Sequence, residues 1–147
     1  MDLVEVLRTG EDAIRGHDRS PQLTASARMF LDCVAGWEHF TVEAASPAAE
    51  RVLGAAMMLE PQLQGGRSAR TVVLDVNIAS GTLVANAARR VRDAIEPEWL
   101  IAVVINALTE VDLRWSIEGV DTLFVCRSES DRQQGQPGEH SIGVRLP

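Results

Sequence analysis

Between residues 70 and 94 the chain runs RTVVLDVNIASGTLVANAARRVRDA, and its hydrophobic period changes partway along. Residues 71–76 are apolar or β-branched with no polar face to offer water, the pattern of a strand buried on both sides in a parallel sheet, and the strand is expected to end near Asp75. Asn77, Ser80 and Gly81 supply turn chemistry. From Thr82 onward Leu83, Val84, Ala87, Ala88, Val91, Ala94 and Ile95 recur at helical spacing. A strand, a short loop and a helix in this order bring an acidic side chain to the carboxyl end of the strand. They also aim the amides of a helix start at the same place, where an anion is stabilised. A phosphorylated sugar suits that chemistry.

The same alternation extends along the chain. Leu3, Val4, Val6 and Leu7 predict a short helix ending at Gly10, and residues 11–19 are polar loop. Ser20-Pro21 opens a helix that carries Leu23, Ala27, Phe30, Leu31 and Val34 inward and stops at Gly36. Residues 37–43, WEHFTVE, predict a strand with His39 inside it. Ser46-Pro47 then caps a helix bearing Val52, Leu53, Ala56 and Met57, whose apolar stripe ends at Glu60. Residues 61–70 form a turn-rich connection, Pro97 breaks the helix after the central unit, and residues 99–106 make a third buried strand. Thr109 caps a short helix with Val111, Leu113 and Ile117, closed by Gly119, and residues 121–126 make a fourth strand. The stretch 127–140 is polar and rich in turn formers, and residues 141–146 return as an edge strand.

This is one α/β domain: N-terminal helices over 1–36, a core over 37–126 and a polar tail over 127–147. Strands alternating with helices imply a parallel sheet with right-handed crossovers. Ligands of such sheets bind beyond the carboxyl ends of the strands, which puts Asp75, Asn77, Ser80, Gly81 and Thr82 on the functional edge.

Composition narrows the choice. A chain of 147 residues buries enough surface to fold without staples. Cys33 and Cys126 lie in apolar runs without metal-ligand spacing, so reduced, buried thiols in a cytoplasmic protein are expected. No apolar run approaches the length of a membrane span. A net charge of −7 opposes binding to a nucleic-acid polymer. The cationic cluster Arg89, Arg90 and Arg92 is expected to be the solvated face of its helix. All 14 basic residues are arginine, which removes Schiff-base chemistry and a Walker-type phosphate loop, both of which need a lysine. His17, His39 and His140 have no partner at ligand spacing, and no serine sits in a nucleophile elbow.

The segment VVLDVNIASGTLVANAARRVRDA resembles the phosphoribosyl pyrophosphate signature of type I phosphoribosyltransferases, a hydrophobic strand ending in two acidic residues followed by a Thr-Gly-x-Thr-like phosphate loop and a helix. Aligned without gaps, Asp75 takes the second acidic position, Leu74 the first, and Thr82 the closing hydroxyl. Shifted by one, Ser80-Gly81 becomes the hydroxyl-glycine pair, Asp75 the first acid and Val76 stands in place of the second. Either way one carboxylate is missing. The resemblance implies a Rossmann-like, phosphoribosyltransferase-like fold. It also implies a phosphoribosyl compound or nucleotide held by Asp75, Asn77, Ala79, Ser80, Gly81 and Thr82, with Mg2+ as cofactor and a homo-oligomer or partner protein as the working assembly. Family members place a glycine-rich pyrophosphate loop where this chain has AASPAAE, and a mobile hairpin where it has PQLQGGRSAR. With neither, and with no lysine, the chain keeps more of the fold than of the catalysis, and no catalytic residue is assigned. A reading from a different class is a non-catalytic regulatory or partner subunit that acts through association. A third is an unrelated Rossmann-like domain, for which the strand-end rule still holds.

Overall fold

A computed structural model describes residues 21–107, 117–127 and 142–145. The helices expected over residues 3–10 and 109–117, and the polar excursion after Arg127, fall outside the described residues except at Ile117. Helix α1 (Pro21–Val34) leads to strand β1 (Thr41–Ala44), helix α2 (Pro47–Leu59), strand β2 (Arg70–Ile78), helix α3 (Thr82–Ala94), strand β3 (Trp99–Ala107), strand β4 (Thr122–Arg127) and strand β5 (Ile142–Arg145). The strands form one sheet in the order β1-β2-β3-β4-β5, the first four parallel and β5 antiparallel at the edge. The α/β architecture read from the sequence is the observed one.

The apolar run of β2 lies at the centre. Thr71 to Asp75 are at most 3% exposed, between β1 and β3 and beneath helices on both faces. The strand runs past Asp75 to Ile78, because Asn77 and Ile78 stay in register with Asn106 and Ala107. On one face α3 buries Val84, Ala87, Ala88 and Val91 against Val73, Leu100, Ala102 and Val104. On the other, α1 and α2 bury Ala27, Phe30, Val52 and Ala56 against Val72, Leu74, Val103 and Ile105. No described helix is long and apolar enough to cross a membrane.

The strand expected over 37–43 is shorter than its pattern. Gly36, at φ +81°, ends α1 in a left-handed turn, and Trp37 N–H returns to the Val34 carbonyl. His39 is exposed at φ +58°, a conformation that histidine tolerates better than most side chains, so it does not lie in an apolar strand. The aromatic residues that suggested alternation instead pack together over the α1 side of the sheet. Trp37 meets Phe40 edge-on at 6.1 Å and Phe124 at 5.3 Å, and pairing begins only at Thr41.

The winding of the chain is less simple than the strand order. The steps from β1 to β2 and from β2 to β3 go the same way across the sheet, yet α2 and α3 lie on opposite faces. Two such crossovers would have opposite hands, whereas parallel crossovers are almost all of one hand. The turn-rich connection removes the conflict. Val42 donates to the Gln64 carbonyl at 3.0 Å and accepts from Gly66 N–H at 2.9 Å, a parallel bridge to Gly65 on the side of β1 away from β2. From α2 the chain therefore goes first to the outer side of β1. It then recrosses β1 on the α3 face, held by the twin bonds of Arg67 to Glu43 at 2.9 Å and by Thr41 donating to Ser68 at 3.1 Å. Counting residues 64–66 as a first strand, the direction of winding reverses between β1 and β2.

Candidate ligand site at the carboxyl edge of the sheet

In doubly wound sheets the point of reversal opens a crevice at the carboxyl ends of the strands, because the two connections leave on opposite faces. Here that point is flanked by the starts of α2 and α3. Ser46 is the N-cap of α2, in extended backbone, and its Oγ accepts from the Ala49 amide at 3.1 Å. The same hydroxyl donates to Asp75 Oδ1 at 2.7 Å. Asp75 Oδ1 also accepts from the Val76 amide at 2.8 Å, so this carboxylate, 3% exposed, is fixed from two sides. Ser46 was not among the site residues read from the sequence. Its Ser-Pro helix start was legible, but its bond to a residue 29 positions away was not.

On the other side of this point, α3 starts at Gly81, at φ +81° and ψ 5°, with no side-chain cap. The amides of the first helical turn have no intrahelical acceptor and carry the positive end of the helix dipole. Ser80 and Thr82 bond to each other through their hydroxyls at 2.9 Å, and Ser80 Oγ lies 3.4 Å from the Thr82 amide. Both side chains are exposed, as are Ala79 and Asn77. Gly81 itself is buried, and a Cβ there would meet Ile117 Cγ1 at 3.3 Å. Asn77 accepts at 3.1 Å from Asn106 Nδ2, its register partner on β3, a residue the sequence offered only as the end of an apolar strand. Four of the six residues named from the sequence thus enter three pairings on this edge: Asp75 with Ser46, Asn77 with Asn106, and Ser80 with Thr82.

The arginine cluster is divided rather than uniformly solvated. Arg89 is exposed, and Arg90 Nε stands 4.0 Å from Glu43. Arg92 ties α3 to the turn before β4, donating to the Gly119 carbonyl at 2.7 Å and to Asp121 Oδ2 at 3.1 Å. Its hydrogen bonds to Glu43, and then the charge of Glu43, raise the Arg67 guanidinium above its already high ordinary pKa. Stability from that shift is complete below the ordinary arginine range and is lost only as pH rises through the raised value.

Among the described residues no group of three or more His, Cys, Asp or Glu side chains is gathered to hold a metal ion. A cleft of about 500 Å3 lined by Trp37, Phe40, Trp99 and Ile101 lies at the amino ends of the strands, away from this edge. The reversal point, by contrast, is where helix starts and hydrogen-bonding side chains converge, and we take that edge as the candidate site.

No protein-family model, curated protein or solved structure matches this chain.

Proposed function

We propose that this protein binds a phosphoribosyl compound or nucleotide at the carboxyl edge between β1 and β2, as a ligand-binding domain rather than a working transferase. The observation that carries the reading is the reversal of winding at β1/β2, with Asp75 held by Ser46 at that point. In this reading the uncapped start of α3 receives the phosphate, and the hydroxyls of Ser80 and Thr82 add donors. Asp75 accepts from the ribose hydroxyls. A magnesium ion, which prefers oxygen ligands, would be held chiefly by the ligand's own phosphates, because the described residues gather no cluster of three candidate metal ligands. Turnover needs groups that hold pyrophosphate and stabilise charge on the ribose ring; the glycine-free turn at Ser46-Pro47 and the lysine-free sequence supply few of them.

One observation favours association as a second role. Met58 on α2 is 85% exposed, with Met57 and Leu59 beside it also exposed. Sedimentation of the protein across a concentration series tests that role separately.

The ligand is tested by thermal denaturation with ribose 5-phosphate and magnesium. A ligand at a hundredfold excess over its dissociation constant stabilises by about 2.7 kcal/mol, a rise of roughly 5–10 °C for a domain of this size. Ser80→Asp puts a carboxylate at the mouth of α3 on an exposed side chain and should abolish the rise without unfolding the protein. An unmoved midpoint for the wild-type chain, or a rise that survives Ser80→Asp, rejects the reading.

A further inference from the structure

Resting on that reading, we propose that Asn77 and Asn106 form a paired amide that reads the hydrogen-bonding edge of a nucleobase. Asn106 is the next-to-last residue of β3, follows the apolar run Leu100 to Ile105, and is only 9% exposed. A polar side chain in that position costs stability unless it is bonded, and an apolar residue would serve the fold as well or better. Its bond is to Asn77, its register partner and an exposed residue of the candidate site.

The chemistry of the pair is specific. An asparagine amide carries two N–H donors and a carbonyl with two lone pairs. The 3.1 Å bond takes one N–H of Asn106 and one lone pair of Asn77. It holds two amides together and leaves hydrogen-bonding capacity of opposite kinds on the two residues, a carbonyl on one and an NH2 group on the other. Turning both amides over exchanges the roles but preserves the combination. A phosphate only accepts and has no use for the carbonyl. A nucleobase presents adjacent donors and acceptors along one edge, the kind of group that asparagine amides recognise. The pair also extends the site from the β1/β2 crevice towards β3, one strand spacing of about 4.8 Å. In this reading the base lies on that side of the phosphate at α3 and the ribose at Asp75.

The test compares ribose 5-phosphate with AMP, GMP, CMP and UMP by isothermal titration calorimetry on the full chain. At least one nucleotide should bind about tenfold or more tightly than ribose 5-phosphate, the worth of one to two net hydrogen bonds. Asn106→Leu and Asn77→Ala should each bring the ratio of nucleotide to ribose 5-phosphate affinity towards one. Asn77 is exposed, so its variant remains informative if the first fails to fold. Asn106→Asp keeps the shape and removes the NH2 group, and it should reorder the preference among the four nucleotides. Equal affinities for all five ligands overturn the inference while leaving the phosphoribosyl site standing, as does an unchanged ratio in the variants. Nucleotide binding that depends on the asparagines, in a protein blind to ribose 5-phosphate, keeps the pair and rejects the phosphoribosyl reading. Absence of binding by any of the five rejects both.

Discussion

One hydroxyl, Ser46 Oγ, both caps α2 by accepting from Ala49 and holds the Asp75 carboxylate at 2.7 Å. Ser46→Ala therefore removes two interactions at once, a helix cap and a donor to a buried acid. Each is worth about 1 kcal/mol or more, so a loss of roughly 2–3 kcal/mol is expected in urea denaturation. A double-mutant cycle with Asp75→Ala should give a coupling of about 0.5–3 kcal/mol. Additive losses would mean that the two side chains stabilise the fold independently.

Three glycines should respond to alanine in opposite directions. Gly81 and Gly119 stand at φ +81° and +84°, and a Cβ at each would come within 3.3 Å of Ile117 and Ala88 respectively. Both substitutions should destabilise by more than about 1 kcal/mol. Gly54 lies inside α2 with nothing within 4 Å of a new Cβ, so Gly54→Ala should stabilise by about 0.5–1 kcal/mol. Thermal midpoints of the three variants check the ranking, and a destabilised Gly54→Ala would contradict the packing described for α2.

Thr122 carries the buried side-chain oxygen that has no hydrogen-bond partner among the described residues. Its hydroxyl is taken from water without compensation, a cost of about 1–3 kcal/mol. Thr122→Val retains the branched shape and removes that oxygen. The variant should be more stable by about 1 kcal/mol, a rise of roughly 2–4 °C; a fall would mean that the hydroxyl is bonded in solution.

The cysteines should separate by rate. Cys126 is 5% exposed on β4, whereas Cys33 is only half-buried on α1, in contrast to the burial expected of both. A thiol reagent added to the native protein should label Cys33 first and reach Cys126 only on unfolding. Equal rates would argue against the packing of β4.

What the sequence revealed and what it hid follow from the range of the interactions. The centre of the sheet was legible because burial of β2 on both faces leaves no polar position from Thr71 to Leu74 apart from the threonine. The start of α3 was legible because Gly81 and the helical recurrence after it are local. The residues that complete the edge were not. Ser46 and Asn106 reach their partners across 29 positions each, and their own neighbourhoods mark the first only as a helix cap and the second only as the end of an apolar run. His39 was misassigned because Trp37 and Phe40 imitate strand alternation while packing as a ring cluster. The recrossing of β1 was equally hidden, since Gly65 pairs through its backbone and leaves no pattern of side chains.

That recrossing has a consequence for how copies of the chain meet. A bare outer strand invites a neighbouring molecule to continue the sheet through its unpaired backbone groups. On β1 the amide and carbonyl of Val42, the pair turned outward at its centre, are already taken by Gln64 and Gly66. The strand is four residues long, and Arg67 and Glu43 bind the covering segment across it. A connection that carries the chain from one helix to the next strand therefore also seals that flank against lateral growth of the sheet into fibres.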